Sequence, residues 1–146
     1  MELTVQHVDG MRFLATADGH AVVVDAAPED GGGGTAMSAP QLFVAATGAC
    51  ILEFVLNSCR LRGIPVERLS VEMAYQEVPR PRRIGALAAA IHLEPDPPDE
   101  VKRRLVGVAR HATLANTLAR PPGVDIYFTG EGGRTDANLR VSMSSV

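Results

Sequence analysis

Cys50 is the residue of this chain best suited to covalent chemistry, and it lies inside a long, almost uninterrupted apolar segment, residues 38–54. A cysteine thiolate is a strong nucleophile where its surroundings favour the charged form. The alternative interpretation is packing, because free cysteine is among the most buried residue types and behaves as a small hydrophobe. For the second cysteine, Cys59, packing is the favoured interpretation.

The two cysteines are too far apart to form a disulfide within one chain. They are nine residues apart on one predicted helix, which separates Cys50 and Cys59 by about 13 Å along its axis and turns them about half a turn out of phase. A disulfide requires Cα atoms closer than about 7 Å. The spacing therefore excludes an internal dithiol cycle for this pair.

The helix that holds both cysteines has clear start and stop signals. Ser38 is a good N-cap residue with Gln41 at the capping-box position. Gly63, followed by Pro65, is a typical stop, so the sequence predicts a helix to about Arg62. Its middle is apolar nearly all round, and in so small a domain only a wrapping sheet or a second copy of the chain can cover it. We therefore expect a tightly intertwined homodimer.

The other elements predict an α+β fold in a single domain, residues 1–146, because strands and helices occur in segregated runs. A second helix is predicted at Asp99–His111, a short helical turn around 114–118, and a weakly ordered Gly/Ser-rich tail at 130–146. Pro28–Thr35, which contains Gly31–Gly34, is predicted to be a flexible connection, and the turn with Arg80, Arg82 and Arg83 is predicted to be a solvated loop. The predicted strands are Leu3–His7, Arg12–Thr16, His20–Asp25, Val66–Tyr75, Gly85–Glu94 and Val124–Phe128.

Composition argues against several classes of partner. The formal net charge is −3, the pI is about 5.8 and no basic run is present, so we expect no nucleic-acid partner. The apolar stretch Leu42–Leu56 is predicted to be too short to span a bilayer and is interrupted by Thr47 and Glu53, so no membrane association is expected. The N-terminus has no signal-peptide pattern, which predicts a cytoplasmic protein. The histidines and cysteines lack ligand spacing, so we expect neither a metal nor a cofactor.

Two segments resemble the OsmC/Ohr family of thiol-dependent organic hydroperoxide reductases. The first begins Ser38-Ala-Pro-Gln-Leu-Phe and ends at Ala49-Cys50. The second reads Ala112-Thr-Leu-Ala-Asn-Thr-Leu118 and is followed by Pro121-Pro122. The likeness runs from about residue 10 to residue 128. It implies antiparallel sheets wrapped around a long central helix in an intertwined homodimer.

The resemblance also implies a catalytic site, from which this chain departs at two positions. It makes Cys50 the peroxidatic thiol and Arg12 the best candidate for the arginine beside that thiol. Gln41 stands where many members have a glutamate that helps to orient the arginine. Ala112 stands at the position of the second family cysteine, which resolves the oxidised thiol as an internal disulfide. The chain therefore lacks the second half of the usual cycle.

Two functions are compatible with this resemblance. The first is a one-cysteine thiol peroxidase of the oxidative stress response, which reduces organic hydroperoxides and is regenerated by an external thiol. The apolar surroundings of Cys50 favour a lipophilic substrate. The second is a non-catalytic protein that uses the same fold to bind a small hydrophobic ligand. Ala112 and Gln41, the two departures from the family pattern, favour this second function.

Peroxide treatment should produce no internal disulfide, because Ala112 carries no sulfur and Cys59 is out of reach of Cys50. Non-reducing mass analysis should instead show sulfenic or over-oxidised Cys50, or mixed disulfides with an added thiol. An internal bond between Cys50 and Cys59 would refute the helical spacing on which this prediction rests.

Overall fold

The computed structural model describes residues 2–129 together with the backbone of 135–143. Within these residues, three strands are followed by a long helix, a two-stranded hairpin, two shorter helices and a last pair of strands. The strands are β1 (Thr4–Asp9), β2 (Arg12–Ala17), β3 (His20–Asp25), β4 (Arg68–Pro79), β5 (Arg82–Glu94), β6 (Val124–Thr129) and β7 (Thr135–Met143), and the α-helices are α1 (Ala39–Arg62), α2 (Asp99–Ala109) and α3 (Thr113–Ala119). The predicted α+β class is confirmed.

The described strands form three separate antiparallel sheets. β1, β2 and β3 form a meander in that order, β4 pairs with β5 as a long hairpin, and β6 pairs with β7. α1 packs mainly against β4, α2 and α3. No other described element packs extensively against the β6–β7 pair. One protomer therefore supports α1 from one direction and leaves its last sheet without a layer beneath it.

The two ends of α1 form as its sequence predicts. The Ser38 hydroxyl accepts from the backbone N–H of Gln41 at 3.4 Å, and the Gln41 side-chain oxygen accepts from the backbone N–H of Ser38 at 2.9 Å. This reciprocal capping box satisfies donors that the first turn leaves without helical partners. At the other end Gly63 adopts a φ of 63°, the left-handed conformation that ends many helices.

The core lies along one side of α1. Ile51, Val55 and Cys59, spaced four residues apart, make a buried stripe on that side. The residues that pack against this stripe come from β5, α2 and the start of α3, and they are Leu93, Leu105, Ala109 and Ala112. The opposite side of α1 contains exposed Ala45 and Ala49. The helix is thus covered on one side within the protomer, while Ala45 and Ala49 remain exposed.

α1 is longer than the apolar stretch Leu42–Leu56, which was predicted to be too short to span a bilayer. By length and composition alone its 24 residues could cross a membrane, so the prediction that the segment is too short was wrong. Buried core helices meet the same criterion, and the contacts of α1 with β4, α2 and α3 are those of a core helix.

A buried carboxylate orders the glycine-rich segment, which was predicted to be a flexible connection. Asp25, at the end of β3, is fully buried and accepts hydrogen bonds from the backbone N–H groups of Gly33 (3.2 Å) and Thr35 (2.9 Å) and from the Thr35 hydroxyl (2.8 Å). A Cβ on Gly32 would lie 1.8 Å from the carbonyl oxygen of Ala26, so the segment passes β3 too closely for any side chain there. The predicted flexibility was wrong because the residue that anchors the segment, Asp25, lies outside it, at the end of the preceding strand.

Part of the predicted tail is a strand. Thr135–Met143 forms β7 and pairs with β6, with Val124 opposite Met143 and Ile126 opposite Val141. The sequence carries the signal for it, because Leu139, Val141 and Met143 alternate with polar residues. The expectation of weak order at 130–134 and 144–146 lies outside the described residues.

Replacing the buried anchor, Asp25→Asn, should lower the melting temperature, because an amide N–H₂ would face the donors of Thr35 and Gly33. The hydrogen bonds from Thr35, backbone first, lower the pKa of Asp25 from its ordinary value of 3.8. A carboxyl with a lowered folded-state pKa stabilises the fold above its unfolded pKa and loses that contribution as the pH falls towards the folded value.

The difference in melting temperature between wild type and Asp25→Asn should therefore be largest near neutral pH and shrink below pH 3.8. Asp18→Asn, at an exposed turn, is the matched control and should change little at either pH. Equal melting temperatures for wild type and Asp25→Asn at neutral pH would contradict the anchoring role.

Candidate functional site

Cys50 is half-buried near the middle of α1, at the edge of the buried stripe. With about 100° of rotation per residue, the buried neighbour Ile51 lies on one side of Cys50 and the exposed Ala49 on the other. Phe54, one turn further along, packs with Cys50 against the core. The thiol therefore stands between an apolar core and an uncovered helix face, where a small molecule can reach it.

Ala112 lies in the core on the covered side of α1, with Ile51, Val55 and Cys59. It is fully buried, directly precedes α3, and belongs to the cluster of buried residues against which Cys50 packs. The chain thus packs its second motif segment against the covered side of α1. A methyl group stands there in place of a thiol.

Cys59 is a packing residue in this structure. It is fully buried within the core, it is a free thiol, and burial raises its pKa above the ordinary value. A buried thiol with a raised pKa is a poor nucleophile. Cys50 and Cys59 lie on the one continuous helix α1, so the structure supports the helical spacing that keeps them apart.

Arg12 is engaged away from Cys50 in the protomer. It lies on β2, opposite Asp25 in the sheet register, and its guanidinium makes an exposed, two-point ion pair with Asp9, with Nε 2.6 Å from Oδ1. The hydrogen bond from Arg12 lowers the pKa of Asp9. Among the described residues, the charged partners of Arg12 are Asp9 and Asp25, and no described contact joins Arg12 to Cys50.

Gln41 is the N-terminal cap of the helix rather than a neighbour of the thiol. Its side chain closes the capping box with Ser38, and it lies nine residues before Cys50, about 13 Å along the axis. The structure therefore does not bring Cys50, Arg12 and Gln41 into one cluster within the described residues of a protomer. Their catalytic roles remain predictions.

An ion-pair cluster of Arg82, Asp30 and Glu77, which the sequence does not reveal, lies near the start of α1. Arg82, predicted to be in a solvated turn, donates to both carboxylate oxygens of Asp30, at 2.7 and 2.9 Å, and contacts Glu77 at 3.4 Å. These contacts lower the pKa of Asp30 and raise the pKa of Arg82. Arg82, Asp30 and Glu77 line one side of a cavity of about 200 Å³, which Gln41 and Tyr75 also line. Arg82 and Asp30 are 52 residues apart, so no local pattern could have indicated the pair.

No metal centre is formed by the part of the chain that the structure describes. Within residues 2–129, no group of three or more His, Cys, Asp or Glu side chains is arranged to hold an ion.

Comparison with known proteins identifies the fold. A family model described as OsmC-like protein matches residues 31–127. A structure from Psychrobacter arcticus, described as an osmotic stress induced and detoxification response protein, has a TM-score of 0.75 at 20% identity, covering 79% of this chain and 85% of that one. No curated protein matches the sequence significantly.

Two further structures are similar at low identity. The organic hydroperoxide resistance protein OsmC of Legionella pneumophila has a TM-score of 0.62 at 20% identity, covering 82% of this chain and 90% of that one. The organic hydroperoxide resistance protein OhrB of Bacillus subtilis has a TM-score of 0.57 at 17% identity, covering 83% of this chain and 93% of that one.

At these identities the structural likeness establishes the fold, while the family model covers well over half of the sequence. The predicted OsmC-like architecture, with sheets arranged about a long central helix, is confirmed. The chain belongs to the family of OsmC-like proteins.

Proposed function

We propose that this protein reduces organic hydroperoxides with Cys50 as its single reacting thiol, and that an external thiol regenerates it. The observation that supports this most directly is the half-buried position of Cys50 on the central helix, beside a core in which Ala112 fills the second motif position. Solved relatives are named for organic hydroperoxide resistance. The site would act in the cytoplasm as part of an oxidative stress response.

The proposed cycle needs one thiol on the protein and two from solution. The Cys50 thiolate attacks one oxygen of the hydroperoxide, the O–O bond breaks, and the alkoxide leaves and takes up a proton as an alcohol. Cys50 is then a sulfenic acid. A first external thiol condenses with it and releases water, and a second external thiol breaks the mixed disulfide and restores Cys50.

The surroundings of Cys50 suit a lipophilic peroxide. Its neighbours Ile51 and Phe54 are apolar. An alkyl chain is favoured in such surroundings because its burial removes apolar surface from water. Hydrogen peroxide has no alkyl chain, so these apolar residues do not favour its binding.

Arg12 enters this proposal as the cation that would stabilise the thiolate. To do so its side chain would have to exchange its exposed partner Asp9 for Cys50. An ion pair between exposed groups is weak, so such an exchange would cost little. Gln41 would contribute by fixing the start of α1 through its capping box.

The second candidate function is binding of a small hydrophobic ligand without turnover. Arg12 and Gln41 are both held by other partners, and Ala112 cannot resolve an oxidised thiol. The two functions differ in one respect that an assay measures, which is consumption of hydroperoxide.

We propose that the working unit is an intertwined homodimer. The apolar side of α1 that contains Ala45 and Ala49 is uncovered in the protomer, and all six residues of β1 and of β6 are exposed. The exposed side chains include Val5 on β1 and Phe128 on β6, which is 74% exposed. Burying apolar surface stabilises by about 25 cal/mol per Å², so a second copy would stabilise the fold strongly.

Wild-type protein should consume organic hydroperoxide in the presence of an external thiol, with several reductants tested, and Cys50→Ser should lose this activity entirely. Cys59→Ala should retain it, because Cys59 is buried away from the proposed site. Equal consumption by wild type and Cys50→Ser would contradict the proposal. Absence of consumption by wild type with every reductant would favour the ligand-binding function.

Ala112→Cys should speed turnover with a dithiol reductant about tenfold or more, because a resolving thiol held beside the sulfenic acid replaces a bimolecular step with a local one. Ala109→Cys is the matched control, since Ala109 is buried in the same cluster but lies about one turn earlier on α2. Ala109→Cys should give no gain, and Cys50→Ser should abolish the gain of Ala112→Cys. Unchanged turnover in Ala112→Cys, with Cys50 demonstrably oxidisable, would count against the proposed pairing.

A further inference from the structure

The side of α1 that the protomer leaves uncovered contains one acidic and one basic residue among its apolar ones. Ala49, Glu53, Leu56 and Arg60 follow one another at spacings of four, three and four residues, so they lie on one side of the helix. Ala49, Glu53 and Arg60 are exposed, and Leu56 is half-buried. Glu53 and Arg60 lie within about 20° of each other around the helix axis and about 10.5 Å apart along it.

Neither of these two charges has a partner in the protomer. Within the described residues, no salt bridge or side-chain hydrogen bond involves Glu53 or Arg60. Ion pairs within a helix form between residues three or four positions apart. Glu53 and Arg60 are seven positions apart, so they cannot pair with each other within one copy of α1.

A second copy that covers this side of α1 would remove both charges from water. Burying a charge is costly unless a partner of opposite sign comes with it. In a two-fold symmetric pair, each contact between two different residues occurs twice, once in each direction. An antiparallel pair of α1 helices centred beside Leu56 therefore places Glu53 of each copy opposite Arg60 of the other. A parallel pair would place like charges opposite each other, so the charges favour the antiparallel arrangement.

The same arrangement brings a cation close to the thiol. Glu53 follows Cys50 by three residues, and residues at this spacing are neighbours on a helix, with about 5–6 Å between their Cβ atoms. The segment that packs beside Cys50 adds little charge of its own, because α3 contains no charged residue and the turn before α3 contains Arg110 and His111, both exposed. A guanidinium that pairs with Glu53 would therefore lie within reach of Cys50.

We propose that α1 of a second copy packs antiparallel against α1, so that Arg60 of each copy pairs with Glu53 of the other and supplies a cation beside Cys50. This inference rests on the proposed homodimer. Glu53 by itself disfavours the thiolate, because a neighbouring like charge opposes ionisation, and Arg60 of the second copy offsets that effect. Arg12 does not supply this cation while it is paired with Asp9. The site at Cys50 is thus incomplete in a single chain.

Charge reversal in the full chain tests the pairing. Arg60→Glu and Glu53→Arg should each weaken the homodimer at least about tenfold in sedimentation equilibrium, because each places like charges opposite each other. The double variant should regain most of the wild-type affinity, since it restores the pair with the signs exchanged. Arg103→Glu, at an exposed position on α2, is the matched control and should stay within about threefold of wild type.

Alkylation of Cys50 by iodoacetamide tests the contribution of Arg60 to the site. The measurement uses Cys59→Ala chains, so that one thiol reports, at concentrations where the chains are dimeric. Arg60→Gln should move the midpoint of the pH profile upward by about one pH unit, because Glu53 is then left without its cation. Arg103→Gln should leave the midpoint unchanged. Neither measurement uses a hydroperoxide, so both are independent of the test of hydroperoxide reduction.

Three results would overturn the pairing. They are a monomeric wild type, no recovery of affinity in the double variant, and an effect of Arg103→Glu equal to that of Arg60→Glu. An unchanged pH profile of alkylation in Arg60→Gln would overturn the contribution of the second copy to the site at Cys50.

Discussion

The burial of one long apolar helix is the constraint on which the rest of this structure depends. α1 has apolar residues on nearly every side, yet within a protomer its neighbours cover the stripe of Ile51, Val55 and Cys59 and leave the side of Ala45 and Ala49 in water. An apolar helix is stable in water only when it is covered. The separate three-stranded and two-stranded sheets also expose apolar residues on β1 and β6. We propose that a second copy of the chain covers these surfaces, since each chain of a symmetric pair would contribute the same surfaces.

The same constraint places the thiol. Cys50 lies where the covered and uncovered sides of α1 meet, so it packs against the core and is still within reach of solvent. Cys59, further along the covered stripe, is fully buried and has a raised pKa. Two cysteines on one helix thus differ in exposure because of the side of the helix on which each lies. Ala112 shows that the fold keeps its close packing at the second motif position without a thiol there.

Local sequence signals predicted the elements before β7 well because their causes are local, whereas the alternation of β7 was overlooked. Ser38, Gln41 and Gly63 set the ends of α1 through hydrogen bonds within a few residues, and the strands follow from alternation and turn residues. The contacts that depend on distant residues were not predictable in this way. The Arg82–Asp30 pair joins residues far apart in sequence, and Asp25 orders the glycine segment through donors eight and ten residues later. The same holds at the candidate site. Cys50 could be recognised from its local motif, whereas the partners of Arg12 and Gln41 are known only from the structure.

We propose that the protomer is incomplete until a second copy covers α1. Sedimentation equilibrium of the wild-type chain at micromolar concentration, combined with circular dichroism on the same samples, tests it most directly. The account predicts a single species of twice the protomer mass, with loss of helical signal wherever dilution produces monomer. A monomer that keeps its full helical content and unfolds cooperatively at that concentration would contradict it.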